Sequence, residues 1–249
     1  MKKNYAILIG RKGSAGFPKK NLLKLYNKYI FEYPLLACKK SKMIDKIFVS
    51  TDCPKIKKIS KKKYECDLIN RPKNLSTNKA LGDHVFIHAY KEIVKKEKID
   101  KKQINLLILL FANGATVTSK MIKYGIEFLN KNKNKSFDSA VSVSKYNMWS
   151  PLRARKINKD GSLKPFVPFE TFGDPQTLNC DRDSQGNVYF ADMGVSVIRP
   201  YCLDNYDKNL LPQKWMGKKI APIFSEAGFD IDYEWQLPSL KYWIKKHYE

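Results

Sequence analysis

A glycine-rich segment near the start of the chain, residues 10–21, has the residue types best suited to bind phosphate. It reads G-R-K-G-S-A-G-F-P-K-K-N and follows Tyr5–Ile9, an apolar run typical of a buried strand. Gly10, Gly13 and Gly16 let backbone N–H groups approach an anion without an intervening Cβ. The same segment carries four cations, Arg11, Lys12, Lys19 and Lys20. This combination favours a triphosphate as the ligand.

Two familiar phosphate-binding motifs are excluded by the spacing. The segment lacks the G-K-[ST] ending of a Walker A loop, and its glycines are spaced G-x-x-G-x-x-G rather than G-x-G-x-x-G. The sequence therefore indicates a phosphate-binding turn of another kind.

The elements that must position this turn alternate between apolar β-branched runs and helical patterns. Strands are predicted at Tyr5–Ile9, Lys46–Ser50, Asp67–Ile69, Asn105–Phe111, Ser139–Val143, Val188–Ile198 and Ile220–Phe224. Helices are predicted at Tyr29–Lys40, Pro54–Lys62, Ala80–Glu97, Ser119–Asn130 and Glu234–His247. The alternation predicts an α/β fold of three layers, α/β/α, around a mostly parallel sheet. We expect residues 1–249 to form one domain.

Residues 145–187 interrupt this pattern. Prolines at 151, 165, 168 and 175 mark an irregular insertion. Long ordered insertions in compact domains usually carry function or an interface. We expect this one to carry function or an interface, and it contains three arginines, Arg153, Arg155 and Arg182, whose guanidinium groups can bind a carboxylate bidentately.

The formal net charge of +23 raises the question of a nucleic-acid partner. Nearly all of the positive charge is lysine, however, and the chain has six arginines, whereas readers of phosphates and bases favour arginine. We therefore interpret the charge as solvated lysine surface and expect no nucleic-acid partner, although a basic nucleic-acid-binding protein remains an alternative.

The five cysteines are odd in number and never spaced C-x-x-C, which favours a reducing compartment, the cytoplasm. The longest apolar run, Leu106–Ala112, is too short to cross a bilayer. We expect no membrane insertion.

Four motifs together resemble one family. The pattern R-x-G-S-x-G-x-P-x-K-N from Arg11 to Asn21 is similar to the signature of the acylneuraminate cytidylyltransferases, the CMP-sialic acid synthetases, and their relatives acting on other nonulosonic acids. V-S-T-D at 49–52, N-R-P at 70–72 and F-D-I-D at 229–232 resemble further elements of that family, in the same order. The resemblance implies the Rossmann-like fold of the nucleotide-diphospho-sugar transferases.

The resemblance also implies a role for each matched residue. Arg11 and Lys20 would be catalytic, neutralising the β- and γ-phosphates of CTP. The backbone of Gly13 and Ser14 would bind the nucleotide, together with Asn21 and Arg71.

A metal and a reaction follow from the same resemblance. Asp230 and Asp232 would hold Mg²⁺, and their alternation on a strand-like segment would put both carboxylates on one side. The implied reaction is attack by the anomeric hydroxyl of an acid sugar on the α-phosphorus of CTP, which releases pyrophosphate, in the synthesis of a surface polysaccharide or other glycan. In this family the insertion crosses a homodimer and helps to complete the neighbour's site.

The segment after the central strand departs from the family pattern. The family's sugar-facing Gln and its Arg are replaced by Phe111 and Val117, and Gly82 stands near the position of a Ser beside the cytosine. A second family signature is echoed only faintly from Arg182 to Gln185. The sequence predicts that nucleotide binding is retained and that the sugar is recognised by residues other than those of the family. The candidate substrate-binding residues are Asn113, Arg153, Arg155, Arg182 and Gln185.

Two further alternatives remain open. The altered segment is compatible with a nucleotidyltransferase of the same fold that uses another NTP or a neutral sugar phosphate. A member without catalytic activity would bind CTP but release no pyrophosphate.

Overall fold

The central sheet is mixed but mostly parallel in the computed structural model, which describes residues 2–13, 16–132, 137–181, 183–184 and 186–248. Within those residues the sheet has seven strands: β1 (Lys3–Ile9), β4 (Lys46–Ser50), β5 (Asp67–Ile69), β6 (Ile104–Phe111), β7 (Ser139–Lys145), β10 (Tyr189–Ile198) and β11 (Ile220–Ser225). Their spatial order is β11-β7-β10-β6-β1-β4-β5. β10 is antiparallel to both of its neighbours, and the remaining pairs are parallel. Two hairpins lie outside the sheet, β2–β3 (Lys24–Leu25 and Lys28–Tyr29) and β8–β9 (Arg155–Ile157 and Leu163–Pro165).

Helices cover both faces of the sheet. They are α1 (Glu32–Ser41), α2 (Pro54–Tyr64), α3 (Gly82–Glu97), α4 (Ser119–Lys131), α5 (Tyr201–Asp204) and α6 (Leu237–Tyr248). One apolar core joins the sheet to α1, α2 and α4, and a second joins its other face to α3. The predicted three-layer α/β/α architecture is therefore confirmed. In the described part of the chain, no helix combines the length and the apolar character needed to cross a membrane.

The start of the first helix differs from the prediction. The pattern predicts a helix from Tyr29, but α1 begins at Glu32 because the preceding residues form the β2–β3 hairpin. Tyr26 and Asn27, at its tip, have positive φ angles of 45° and 65°, as a tight two-residue turn between antiparallel strands requires. Residues 10–21, which we call the phosphate-binding segment after its predicted ligand, therefore lead into a short 3₁₀ turn (Lys20–Leu22) and this hairpin, not directly into an α-helix.

Glu32 joins the hairpin to two helices. Its buried carboxylate accepts hydrogen bonds from the Tyr29 backbone N–H at 2.8 Å and from the Tyr64 hydroxyl at 2.9 Å, and it pairs with the Lys63 ammonium. Burial by itself raises the pKa of the Glu32 carboxyl, but these three interactions outweigh burial and hold the pKa below its ordinary value.

We expect Glu32→Gln to lower the free energy of unfolding by about 1–2 kcal/mol at pH 7. A neutral amide accepts the hydrogen bonds from Tyr64 and Lys63 more weakly than the carboxylate does. Because the folded-state pKa is lowered, the contribution of the carboxylate is present above its ordinary pKa of 4.5 and is lost as the pH falls through the lower folded value. Urea unfolding of the wild type and of Glu32→Gln from pH 7 to pH 3 measures how the difference in free energy of unfolding depends on pH. A difference between them that does not shrink below pH 4.5 would contradict it.

A third apolar cluster brings together segments far apart in sequence. Leu25 and Ile30 from the hairpin region pack with Ile231 and with Leu240 and Trp243 of α6. This cluster holds the C-terminal segment against the end of the phosphate-binding segment.

Candidate active site

The candidate residues lie where strands end on one edge of the sheet. Residues 10–21 follow β1, Asp52 follows β4, Arg71 follows β5 and Asn113 follows β6. These four strands are parallel, so their carboxyl ends meet at the same edge, where open α/β sheets bind ligands. The topology therefore brings together residues that the sequence separates by a hundred positions.

Backbone contacts fix the start of the phosphate-binding segment. The Gly10 N–H donates to the Ser50 carbonyl at 3.2 Å, and the Lys12 N–H donates to the Asp52 carboxylate at 2.7 Å. The buried Asn21 side chain donates to the Arg11 carbonyl at 3.1 Å, so its amide nitrogen closes the turn. Gly13 lies exposed, and Ser14, the other backbone donor predicted from the sequence, lies outside the described residues.

Gly10 and Gly13 differ in the space around them. A Cβ on Gly10 would collide with the Ala112 Cβ, whereas a Cβ on Gly13 would meet no atom within 4 Å. We expect Gly10→Ala to lower the free energy of unfolding by about 1–3 kcal/mol, as overpacking does. Gly13→Ala is the matched control and should change it by less than about 0.5 kcal/mol. Urea unfolding compares the two, and equal losses would contradict the packing argument.

Two arginines lie beside this segment. Arg11 donates to the Asn78 side chain, and Arg71 donates from Nε to the Leu75 carbonyl at 2.7 Å. Burial lowers the pKa of the Arg71 guanidinium, Asp52 opposes the shift and the positive charge of Arg11 adds to it. Arg11 and Arg71 are therefore close enough for their charges to interact, which suits an anionic ligand bound between them.

Lys20 reaches the other end of the chain. Its ammonium pairs with the Asp232 carboxylate, and the Lys20 side chain is 12% exposed whereas that of Asp232 is 53% exposed. The phosphate-binding segment and the aspartate pair thus form one site, although 212 positions separate the two partners.

The aspartate pair lies on an irregular segment. The strand expected there is wrong, since residues 226–233 form no strand and Ile231 is buried between the two aspartates. Asn113 fixes this segment, accepting from the Ile231 N–H at 3.1 Å through its backbone carbonyl and donating to the Asp230 carboxylate at 2.9 Å. Burial raises the pKa of the Asp230 carboxyl, and the charge of Asp232 raises it further, while Lys20 and Asn113 oppose the shift. The two carboxylates therefore interact, as groups that share a cation do.

This pair fits Mg²⁺ by its chemistry. Mg²⁺ prefers oxygen ligands and commonly uses one or two carboxylates plus substrate phosphates, so it does not require a larger protein cluster. Among the described residues no group of three or more His, Cys, Asp or Glu side chains is arranged to hold a metal. Asp230 and Asp232 are the residues that would hold Mg²⁺ beside the phosphate-binding segment.

A cavity of about 740 Å³ opens beside Asp230. Its lining combines aromatic side chains with charged ones: Tyr146, Trp149, Phe190, Trp235, Tyr242 and Trp243 on the one hand, and Asp192, Glu226 and Lys246 on the other. Several of these rings are strongly exposed, Trp149 at 62% and Trp235 at 71%. Cavities of this size and composition are typical of small-molecule sites. We call it the aromatic cavity.

Sequence reasoning missed the aromatic cavity. The signal was present in the run of aromatic residues from Tyr233 to Trp243, but the pattern was interpreted only as a helix. Trp235 lies in a 3₁₀ turn, and α6 begins later, at Leu237, than the predicted Glu234.

The arginines of the insertion lie elsewhere. Arg153 donates to the Cys180 carbonyl, and Arg155 donates to the Leu152 carbonyl at 2.8 Å and lies over the Phe169 ring. Both line a second cavity, which shares no lining residue with the aromatic cavity. Within one chain the fold does not bring these two arginines to the aromatic cavity. Arg182 and Gln185, also predicted to bind substrate, lie outside the described residues.

Two residues of the altered segment after β6 pack inside the protein. Phe111 packs against Phe86 and Trp215, with ring centroids 5.3 and 5.8 Å away, and Val117 is fully buried in the core. Asn113 is the residue of this segment whose side chain contacts the aspartate pair.

A protein-family model described as cytidylyltransferase matches residues 5–156, more than half of the chain. The chain belongs to the cytidylyltransferase family. The matched region holds the phosphate-binding segment, Arg71 and Asn113, whereas the aspartate pair and the aromatic cavity's α6 residues lie beyond it.

Two curated relatives resemble this chain over part of their length. The pseudaminic acid cytidylyltransferase and UDP-2,4-diacetamido-2,4,6-trideoxy-beta-L-altropyranose hydrolase of Helicobacter pylori (strain ATCC 700392 / 26695) is 28% identical over 149 residues, which are 58% of this chain and 28% of the relative. The N-acylneuraminate cytidylyltransferase of Escherichia coli O18:K1:H7 (strain RS218 / NMEC) is 36% identical over 84 residues, 34% of this chain and 20% of the relative. The matched region thus spans about a quarter of these relatives.

A solved structure shares the fold along nearly the whole chain. It is the CMP:2-keto-3-deoxy-manno-octonic acid synthetase complexed with CTP, with a TM-score of 0.64 and 13% identity, covering 98% of this chain and 99% of that chain. At this identity the likeness concerns the fold.

Proposed function

We propose that this protein transfers the CMP group of CTP to a sialic-acid-like acid sugar and releases pyrophosphate. The contact between Lys20 and Asp232 carries the proposal, because it joins the phosphate-binding segment to the aspartate pair in a chain of the cytidylyltransferase family. Phosphate binding and metal binding are thereby combined at one edge of the sheet.

The chemistry needs positioning and charge neutralisation. The anomeric hydroxyl oxygen of the sugar forms a bond to the α-phosphorus, and its proton passes to solvent water. The bond from the α-phosphorus to the bridging oxygen breaks, and pyrophosphate leaves with the electron pair. Arg11 and Lys20 would neutralise the charge that accumulates on the leaving phosphates, and the N–H of Gly13 would donate to them. Bound Mg²⁺ would supply further charge neutralisation.

The aromatic cavity supports an acid sugar with apolar substituents as the acceptor. It lies beside Asp230, where an acceptor must meet the α-phosphorus, and its aromatic lining suits the apolar faces of acylated and deoxygenated sugars. The two relatives are named for pseudaminic acid, a diacetamido-trideoxy sugar and N-acylneuraminate. The aromatic part of the cavity suits the apolar substituents of sugars of this class.

A homodimer would supply cations for the acid sugar in addition to Lys246, which lines the aromatic cavity and pairs with Glu226. Residues 145–187 expose large apolar side chains, Met148, Trp149, Ile157, Leu163 and Phe166, which suits a protein interface. We propose that Arg153 and Arg155 of one protomer serve the aromatic cavity of its partner. Equilibrium sedimentation measures the mass, and a monomer at assay concentration would contradict this part of the proposal. Cytoplasmic localisation remains a prediction from the cysteine pattern.

Pyrophosphate release tests the function. The purified full chain is assayed with each of the four NTPs, with Mg²⁺, and with a panel of nonulosonic acids and 3-deoxy-octulosonate. We expect turnover with CTP and at least one nonulosonic acid. Turnover with another NTP or with a neutral sugar phosphate would replace the proposal with that alternative. CTP binding without pyrophosphate release from any pair would indicate a member that is not catalytic.

A further inference from the structure

The strand β10 is interrupted next to the candidate active site. It pairs with β7 up to Ala191, opposite Val143, and again from Ser196, opposite Val141. Four residues of β10, 192–195, therefore lie opposite the single residue Ser142. Met193, within this bulge, has a φ of 59°, an uncommon value for a residue other than glycine. Bulges beside active sites commonly redirect a side chain, and this bulge contains Asp192.

Asp192, which also lines the aromatic cavity, is a buried carboxylate with no role in the mechanism described above. It is 4% exposed, and its oxygens accept hydrogen bonds from the Ser142 hydroxyl, from the Ser144 hydroxyl at 2.7 Å and from the Gly194 N–H at 3.1 Å. Burial raises the pKa of this carboxyl, and the hydrogen bonds from the two serines oppose the shift. Burying a carboxylate costs free energy unless hydrogen bonds compensate for the lost hydration.

The Asp192 carboxylate and the Ser144 hydroxyl both contact the backbone at Gly228, which lies two residues before Asp230. The Ser144 oxygen that donates to Asp192 accepts from the Gly228 N–H at 2.8 Å. The Tyr146 hydroxyl donates to the Gly228 carbonyl at 3.0 Å. A Cβ on Gly228 would collide with the Asp192 carboxylate, so the backbone passes directly over it. These contacts fix Gly228 on three sides.

We infer that Asp192 is a positioning residue that, through Ser144 and Gly228, holds the Asp230 carboxylate in the geometry that Mg²⁺ and the CTP phosphates require. The inference rests on the proposed function. Groups that orient metal ligands commonly change metal affinity or activity by about 10- to 100-fold when they are removed.

Two serines provide a matched pair of variants. Ser142 and Ser144 both donate to Asp192, but Ser144 alone of the two accepts from Gly228, while Ser142 accepts from the Val195 N–H at 2.9 Å. Ser144→Ala should reproduce the effect of Asp192→Asn on the site. Ser142→Ala should leave turnover and the Mg²⁺ requirement within about threefold, because neither of its hydrogen bonds reaches Gly228.

The first test measures pyrophosphate release against Mg²⁺ and CTP concentration at a temperature where each variant is folded by circular dichroism. For Asp192→Asn and Ser144→Ala we expect kcat about 10- to 100-fold lower and a higher half-saturating Mg²⁺ concentration, with the KM for CTP within about threefold. Wild-type kcat and Mg²⁺ dependence in folded Ser144→Ala would overturn the inference. So would an equal loss in Ser142→Ala, which would indicate general destabilisation.

The second test does not depend on turnover. Hydrogen exchange of the backbone amides of residues 226–232 is compared in the full-length wild type, Ser142→Ala and Ser144→Ala. Faster exchange confined to Ser144→Ala is expected, and unchanged exchange in that variant would overturn the inference. If the wild type releases no pyrophosphate with any substrate pair, the proposed function fails, while the exchange result still decides whether Asp192 and Ser144 hold this segment.

Discussion

Lys20→Ala is expected to lower the rate of pyrophosphate release at least a hundredfold. The Lys20 ammonium is the largely buried cation that faces both the phosphate-binding segment and the aspartate pair, so it can neutralise charge on the leaving phosphates. Removing one well-placed charge-stabilising donor costs about 3–4 kcal/mol in the transition state. Initial rates at saturating CTP, acid sugar and Mg²⁺ measure the effect.

The fold should survive this change. The partner of Lys20, Asp232, is half exposed, and ion pairs open to solvent contribute at most about 1 kcal/mol to stability. Lys24→Ala is the matched control, because Lys24 is an exposed lysine on the neighbouring β2 strand and the same charge is removed from the same region. Turnover near the wild-type value in Lys20→Ala, or an equal loss in Lys24→Ala, would show that Lys20 has no specific role.

Asp232→Asn is expected to lower turnover at least a hundredfold and to raise the half-saturating Mg²⁺ concentration. The variant keeps the size of the side chain but removes the charge that pairs with Lys20 and would bind the cation. A Mg²⁺ titration of the rate separates the two effects. Glu234→Gln is the control, since Glu234 is an exposed carboxylate two residues further along the same segment. A Mg²⁺ dependence shared by Asp232→Asn and the wild type would contradict the metal assignment.

The double variant Lys20→Ala, Asp232→Asn tells whether the two side chains act only through each other. If the ion pair simply orients one of them, the double variant should be no slower than the worse single variant. If each side chain contacts a different part of the nucleotide–metal complex, the losses should multiply. Initial rates of all four proteins under one set of conditions complete the cycle.

Much of the fold follows from local patterns. β4 and β5 begin and end at the predicted residues, and Ile47–Val49 of β4 form the short, continuous apolar run that is typical of a buried strand in a parallel sheet. The α4 helix begins at Ser119 after an N-cap, Thr118, that accepts from the Met121 N–H at 3.2 Å. Predictions were least accurate where tertiary contacts override local preference. The first helix begins at Glu32 rather than Tyr29 because a hairpin turn and the bonds to Glu32 take up the intervening residues.

The residues of the candidate site were also predictable only where a local pattern decides. The spacing of residues in the phosphate-binding segment is a local property, so the sequence could identify that segment. The expectation that Asp230 and Asp232 lie on a strand was wrong, because Ile231 between them is drawn into the core under α6 and the segment is bonded to Asn113.

The sequence by itself determined the α/β architecture and made residues 10–21 and the aspartate pair candidates for the site, since each depends on residues close together in the chain. The tertiary structure alone decided that Lys20 meets Asp232, that aromatic side chains from β10, α6 and the connecting segments enclose one cavity, and that Asp192 lies beneath Gly228. These contacts join residues tens to hundreds of positions apart. The order of the strands in the sheet and the packing of α6 bring these residues together. A local sequence pattern carries no information about contacts between residues so far apart in the chain.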